Sequence, residues 1–393
     1  LKSNIERGLY LEDQEMTPDS TVRSVLAHVN INPNTNAQGN REEEPIFDNR
    51  DLATAVAYTP IGDIVFVAHL GTRVIDALDA WTLQRIGGFQ DVGHGLSGLW
   101  VDPSGDVLWA LLDFDRTLLA LPISDLSASP SELARIELLG DIEEPLTETV
   151  LAGKRIFYAA VDPRMSRDSY ISCGSCHLDG DDDGRTWDFT QRGEGLRNTI
   201  SLQARTNGNH GPLHWSGNFD EVQDFENDIR LHMGGEGFLS EEDWNEEPDP
   251  LGVERAGLSP ELDALTSFVA TLDAVPRSPW RTSDGELTSA ATRGQMIFAD
   301  PETGCAHCHG GPEFSDSSWN DNGEPLLHDV GTLTDASGYR MGEELAGLDT
   351  PSLRGLHATA PYLHDGSAPN LETVLIDANQ NGLHGDTNEL TDE

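Results

Sequence analysis

Cys173-Gly174-Ser175-Cys176-His177 decides how the rest of the chain is read, together with its second copy, Cys305-Ala306-His307-Cys308-His309. Each is a C-x-x-C-H sequence, the pattern of covalent c-type haem attachment. Two thiols three positions apart can both form thioethers to one porphyrin edge. The histidine that follows then reaches the iron as the proximal ligand. A zinc site needs two such pairs closing on one metal. Here the pairs lie 132 residues apart and each carries its own histidine. A thioredoxin-like pair requires a βαβ unit, and neither flank reads as one. The two copies use all 4 cysteines of the chain. The sequence therefore predicts two haems, with Cys173, Cys176 and His177 at the first and Cys305, Cys308 and His309 at the second.

The 393 residues suffice for two or three domains with real cores. No apolar run approaches the ~20 residues of a membrane span, and no signal peptide opens the chain. C-type haem is attached on the oxidising side of a bacterial membrane, so a periplasmic or other extracytoplasmic location is expected, with a leader removed or the chain a fragment. The end, Glu389-Leu-Thr-Asp-Glu393, reads as the start of a helix. The net charge is −45, from 69 acidic and 24 basic residues, and only Lys2 and Lys154 are lysines. Such a field repels nucleic acid and anionic membrane surfaces and would steer a cationic redox protein partner. It also suits solubility in a salty habitat, the reading favoured for most of the charge.

Residues 30–50 are rich in Asn, Pro and Glu and read as loop. An internal repeat follows. Ala55-Val-Ala-Tyr-Thr-Pro60-Ile-Gly-Asp63-Ile-Val-Phe-Val-Ala returns 43 residues later as Gly98-Leu-Trp-Val-Asp-Pro103-Ser-Gly-Asp106-Val-Leu-Trp-Ala-Leu. Each copy reads as strand, turn and strand, with a further strand at 72–77 or 117–121. A period near 40 with four short strands is the mark of a β-propeller blade, and the copies resemble YVTN or WD-like blades. Two blades cannot close a propeller, and a plain antiparallel sheet packed on haem domains explains the pattern nearly as well. Residues 122–145 read as a linker. Helical periodicity then begins at Leu146, Val150, Leu151 and Ile156-Phe157. Gly153-Lys-Arg-Ile-Phe157 precedes the first haem motif as Gly294-Gln-Met-Ile-Phe298 precedes the second, which marks a duplication. The expected fold is thus multidomain: an all-β, partly propeller-like segment over 1–140, then two mainly α-helical cytochrome c-type domains over 141–280 and 281–393. Leu262–Leu272 is read as the helix closing the first.

Longer motifs carry a resemblance. Thr350-Pro-Ser-Leu-Arg354 through Ala360-Pro-Tyr-Leu-His364-Asp-Gly366, with Cys308-His-Gly-Gly-Pro312-Glu-Phe314, resembles the C-terminal signature of bacterial di-haem cytochrome c peroxidases and MauG. Asp162-Pro-Arg-Met-Ser166, Arg197-Asn198 and Trp215-Ser-Gly217 are similar to the same family. The resemblance spans roughly residues 150–385. It implies two α-helical haem domains, Trp215 between the haems as an electron stepping stone, and a calcium ion between the domains. Asp179–Asp183 offers clustered carboxylates but lacks EF-hand spacing, so a solvated acidic loop is expected. Hydrogen peroxide is the implied co-substrate. The family's distal glutamate falls near Glu236, but its Glu-Met-Gly is replaced by His232-Met233-Gly234, so Glu236 and His232 are the candidate catalytic residues. His214 is the candidate sixth ligand of the first haem, with His210 and His232 as rivals. His384 is the candidate at the second haem, ahead of Met341 and His328. Arg354 is expected to hold a haem propionate, and His364 to be structural near the second haem's propionates. Three functions remain open: a di-haem electron carrier, a peroxide-reactive oxidoreductase of the peroxidase or MauG type, and a haem-carrying subunit of a larger redox complex.

Overall fold

The computed structural model describes residues 2–4, 22–27, 29, 46–127, 129, 131–203, 211–246 and 249–387. Most of the 30–50 loop, His210 and the helix expected at the C-terminus lie outside them. Compactness divides the chain into two units. The first comprises Leu1–Glu6, Met16–Ser175 and Glu226–Ser240; the second comprises Arg7–Glu15, Cys176–Phe225 and Glu241–Glu393.

The first unit is built on antiparallel sheets. Strands β1 (Lys2–Asn4), β2 (Val22–Val25) and β3 (Ile46–Phe47) form a three-stranded sheet in that order. The repeat becomes two four-stranded meanders. The first holds β4 (Ala53–Tyr58), β5 (Ile64–His69), β6 (Val74–Asp79) and β7 (Arg85–Phe89). The second holds β8 (Leu96–Val101), β9 (Val107–Leu112), β10 (Thr117–Pro122) and β11 (Ala134–Glu137). The Pro-x-Gly-Asp turns do what the sequence predicts. Asp102 Oδ1 accepts the amides of Asp106 and Val107, while Gly105 takes a φ of +82°. Phe66, Ile75 and Phe89 of the first meander and Leu108, Leu112 and Leu119 of the second bury into one core. Val65, Val67 and Leu78 form a separate core with Phe47 of β3. The segment read as a linker contains β11, whose residues are all exposed and which, among the described residues, pairs only with β10. An edge strand with no buried face shows no hydrophobic alternation, so the pattern concealed it. Among the described residues no closed propeller is formed.

Beyond residue 146 the elements are short helices and two two-stranded antiparallel sheets, Thr186–Phe189 with Gly195–Asn198 and Tyr339–Arg340 with Glu343–Glu344, joined by long irregular segments. Helix α1 (Glu148–Phe157) starts at Thr147, whose hydroxyl caps the Val150 amide, and buries Gly153 and Phe157. Helix α2 (Cys173–Cys176) is the first haem motif itself, and α3 (Glu226–Leu231) follows in the first unit. The second unit holds α4 (Glu241–Glu246) and α5 (Pro260–Val269). Helix α5 has Ser259 as N-cap and Pro260 in its first turn, and buries Leu262, Leu265 and Phe268 as its periodicity requires. Next come α6 (Ser289–Phe298) and α7 (Cys305–Cys308), the second haem motif.

Candidate functional site

At the first motif the local backbone is fixed by a residue far away in sequence. Asp51 is fully buried and accepts hydrogen bonds from Ser172 Oγ at 2.8 Å and Ser175 Oγ at 2.7 Å. Ser175 Oγ also accepts the Ser172 amide at 2.8 Å, which clamps the turn that presents Cys173. Gly174 is required because a Cβ there would collide with the Tyr158 ring. Burial pushes the Cys173 thiol up to about 12. Such surroundings disfavour a thiolate and suit a neutral thioether. All four cysteines are free of disulfides and so available for attachment.

The second motif shows how its histidine is aimed. His309 Nδ1 lies 3.1 Å from the Phe314 carbonyl. The proton therefore sits on Nδ1, and Nε2 keeps its lone pair for a metal. Burial lowers the His309 pKa and keeps the ring neutral. Across from it stands His384, with ring centroids 6.2 Å apart. Two metal–imidazole bonds of about 2 Å in line, plus the step from each nitrogen to its ring centre, span that separation. His384 is held by Asn379, a buried side chain that sequence reasoning missed. Asn379 Oδ1 accepts the His384 amide at 2.8 Å, and its Nδ2 donates to the Gly385 carbonyl at 2.8 Å and to Thr387 Oγ1 at 3.1 Å. The Asp386 amide ties the same loop to the Thr303 carbonyl, two residues before Cys305. Burial lowers the His384 pKa, and its Nδ1 has no partner among the described residues. Of the rival ligands, Met341 is exposed, whereas His328 stays beside the motif: its Nε2 is 2.9 Å from Asp316 Oδ2, and a ring nitrogen lies within 4.8 Å of the Cys308 thiol. Helix α6 leaves Met296 63% and Ile297 42% exposed. An apolar face uncovered one loop before the motif is what a haem would bury.

Three of the motifs that carried the resemblance meet around Trp215. Its indole Nε1 donates to the Asn198 carbonyl at 2.8 Å, and its ring centre lies 6.4 Å from that of His364. The Asn198 amide donates to the His364 carbonyl, and its side chain to the Pro361 carbonyl, both at 2.6 Å. Buried His364 Nε2 is 2.7 Å from Ser337 Oγ, and Arg197 Nη1 donates to the Ser337 carbonyl at 2.8 Å. The neighbouring His214 has a φ of +65° and packs against Phe219 and Phe225. Its Nδ1 is 2.7 Å from Asn218 Oδ1, so Nε2 is the nitrogen with a free lone pair.

The remaining candidates are placed as follows. Glu236 lies in the first unit with an exposed side chain, and its amide donates to the Pro163 carbonyl. The next residues are pinned by buried Glu226, whose carboxylate accepts the amides of Phe238 and Leu239. His232 is half-buried, with Nε2 3.8 Å from Asp228 Oδ1 one turn earlier on α3. Arg354 is gripped by two protein carboxylates, Asp273 at 2.7 Å and Glu313 at 3.2 Å, so a propionate would have to share it. In the 179–183 loop, burial and the charges of Asp181 and Asp183 raise Asp182 to about 6. Asp183 accepts the Trp187 indole N–H at 3.1 Å.

A family model described as RoxA-like, cytochrome c-like matches residues 347–381, the segment from Gly347 through His364 to just beyond Asn379. Hydrazine synthase subunit gamma of Kuenenia stuttgartiensis is 30% identical over 265 residues, 58% of this chain and 70% of the relative. Methylamine utilization protein MauG of Methylorubrum extorquens is 29% identical over 258 residues, covering 59% of this chain and 69% of MauG. Cytochrome c peroxidase Ccp of Escherichia coli is 30% identical over 246 residues, 54% of this chain and 50% of that protein. A solved structure of Kuenenia stuttgartiensis hydrazine synthase matches 63% of this chain and 85% of that chain, at 27% identity and a TM-score of 0.42.

Proposed function

Because the chain belongs to the di-haem cytochrome c peroxidase and MauG family and carries two covalently attached c-type haems, we propose that it works outside the cytoplasm as a di-haem electron-transfer protein whose second haem is closed by two histidines. The haems, when bound, supply one-electron redox centres. The observation that carries the reading is the 6.2 Å spacing of His309 and His384. Both imidazoles are kept neutral by burial, and His309 is oriented by the Phe314 carbonyl. Asn379 holds the His384 loop through hydrogen bonds to Gly385, Thr387 and the His384 amide, so little has to move when an electron arrives. Small reorganisation favours electron transfer over substrate binding. Met ligation would raise the potential of this centre, and a second His keeps it lower. The domains proposed for the two centres are 141–280 and 281–393, with the β meanders as propeller-type blades.

The second reading is peroxide chemistry at the first haem, with His177 as its proposed proximal ligand. The pinned backbone of Glu236 favours this second reading. That carboxylate is held at a fixed point of the chain but its oxygens are open, as a group that takes a proton from one peroxide oxygen and delivers it to the other has to be. His232 then helps position the proton. His214 closes the first haem in the alternative, purely electron-carrying form. Trp215, hydrogen-bonded at Nε1 and packed near His364, is a fixed aromatic step for electrons. The redox partner is proposed to be a protein with a basic face, and membership of a larger redox assembly is compatible with this. EPR and optical spectra of the oxidised and half-reduced protein, before and after hydrogen peroxide, test both readings. A low-spin second haem in both states is expected. Two low-spin haems indifferent to peroxide would remove the peroxidase reading, and a high-spin second haem would remove the closed-centre reading.

A further inference from the structure

A cavity of about 360 Å³ lies within the first unit. It falls at the small end of the range for ligand clefts, about 300–1,000 Å³. Its lining includes Arg73, His94 and Phe114 from the β part and Arg155, Tyr158 and Arg164 from the end of α1 and the segment after it. Three guanidiniums meeting at one cavity is unexpected in a chain with 69 acidic residues and 24 basic ones. They are also fixed in place. Arg73 Nη1 is 3.0 Å from His94 Nε2. A guanidinium can only donate, so His94 Nε2 accepts and its proton sits on Nδ1, which faces Asp115 Oδ1 at 3.2 Å. Asp115 Oδ2 accepts the His94 amide at 2.7 Å, and Asp115 Oδ1 accepts Arg155 Nη2 at 2.8 Å. Arg73, His94, Asp115 and Arg155 thus form one relay along the wall. Arg164 is braced by Asp162 at 2.9 Å.

These ion pairs leave donors over. A guanidinium has five N–H groups, and one carboxylate occupies at most two of them. The Nε of Arg73 and the Nε of Arg155 are buried with no acceptor among the described residues. Asp162 also lines the cavity but is paired with Arg164, so the spare N–H groups of Arg73 and Arg155 set the preference of the site, and an apolar guest would leave them unmet. We propose that this cavity binds a small oxyanion of the carboxylate or phosphate class, held between Arg73, Arg155 and Arg164. A planar or tetrahedral oxyanion presents several acceptors in the geometry that guanidinium forks match. None of the lining residues is a candidate haem ligand, and the site adds a binding function to the β part of the chain.

Isothermal titration of the haem-loaded protein with inorganic phosphate and with succinate, at ionic strength held constant by sodium chloride, tests this. One saturable site for at least one probe is expected, with affinity reduced about ten-fold or more in Arg73→Gln and in Arg155→Gln and the haem optical spectrum unchanged. Arg155 also anchors Asp115, so its loss could disturb the wall. Arg73, whose Asp91 partner is at the surface, is the milder and therefore the deciding variant. If neither probe saturates, or if Arg73→Gln binds both as the parent does, the proposal is overturned.

Discussion

His384 and Asp51 show two ways in which one residue can decide a haem site. Replacing His384 by Ala removes the proposed sixth ligand without touching Cys305, Cys308 or His309. The expected result is a high-spin optical and EPR signal from one haem only. An unchanged low-spin spectrum would mean that another group closes the iron. Asp51→Ala acts on protein rather than metal. It leaves the Ser172 and Ser175 hydroxyls without their buried acceptor, and each charge-assisted hydrogen bond of this kind contributes about 1.5–3 kcal/mol. Denaturant unfolding is expected to show a loss of that order, and haem loading at Cys173 and Cys176 should fall while loading at Cys305 and Cys308 persists. The attachment motifs were legible in sequence because their spacing is short, and a count along a known signature reached Ala378, beside which His384 was the candidate. Asp51 and Asn379 were not legible. Asp51 acts across 121 and 124 positions, and Asn379 acts through backbone contacts that leave no pattern in residue type.

Among the elements, the strands were legible where a turn punctuates them. Pro60-Ile-Gly-Asp63 and Pro103-Ser-Gly-Asp106 sit between β4 and β5 and between β8 and β9. Strand β11 escaped because nothing on it is buried. Strand β7 depends on a glycine for a different reason. Gly88 has a φ of +145°, and a Cβ there would collide with the Ile75 carbonyl of β6. In the ladder between β6 and β7 Gly88 sits opposite Asp76, two residues after the extra residue Ile86 at which the register shifts. Gly88→Ala should therefore cost about 1–3 kcal/mol from backbone strain alone, read as a lower midpoint in urea with no change in the haem spectra. A midpoint equal to that of the parent would show that the meander relaxes around the new methyl group. The helices were legible at their starts. Thr147 and Ser259 cap α1 and α5 as their residue types predict. Their partners were harder to see, since α6 packs so little of its apolar face on protein that its residues alone offered no clue to what covers it.

The whole molecule is dominated by its charge, and here composition alone makes a quantitative prediction. A net charge of −45 on 393 residues places many carboxylates within one another's reach, and their repulsion destabilises the compact state. At an ionic strength near 0.01 M the screening length is roughly 30 Å, about the size of a domain; at 1 M it is roughly 3 Å, shorter than most of these separations. Raising sodium chloride across that range should therefore raise the thermal midpoint steadily. Guanidinium chloride, itself a salt, should overstate stability relative to urea at low denaturant. The same field acts on association. Electron exchange with a basic redox protein should be fast at low salt and slow steeply as salt rises, whereas exchange with an acidic one should speed up as repulsion is screened. Stopped-flow reduction of the haems by a basic and an acidic small cytochrome, each across the salt series, separates the two cases. Opposite salt slopes for the two donors would establish that the acidic surface selects the partner. Equal slopes would mean that the charge serves solubility alone and that docking is governed by a local patch.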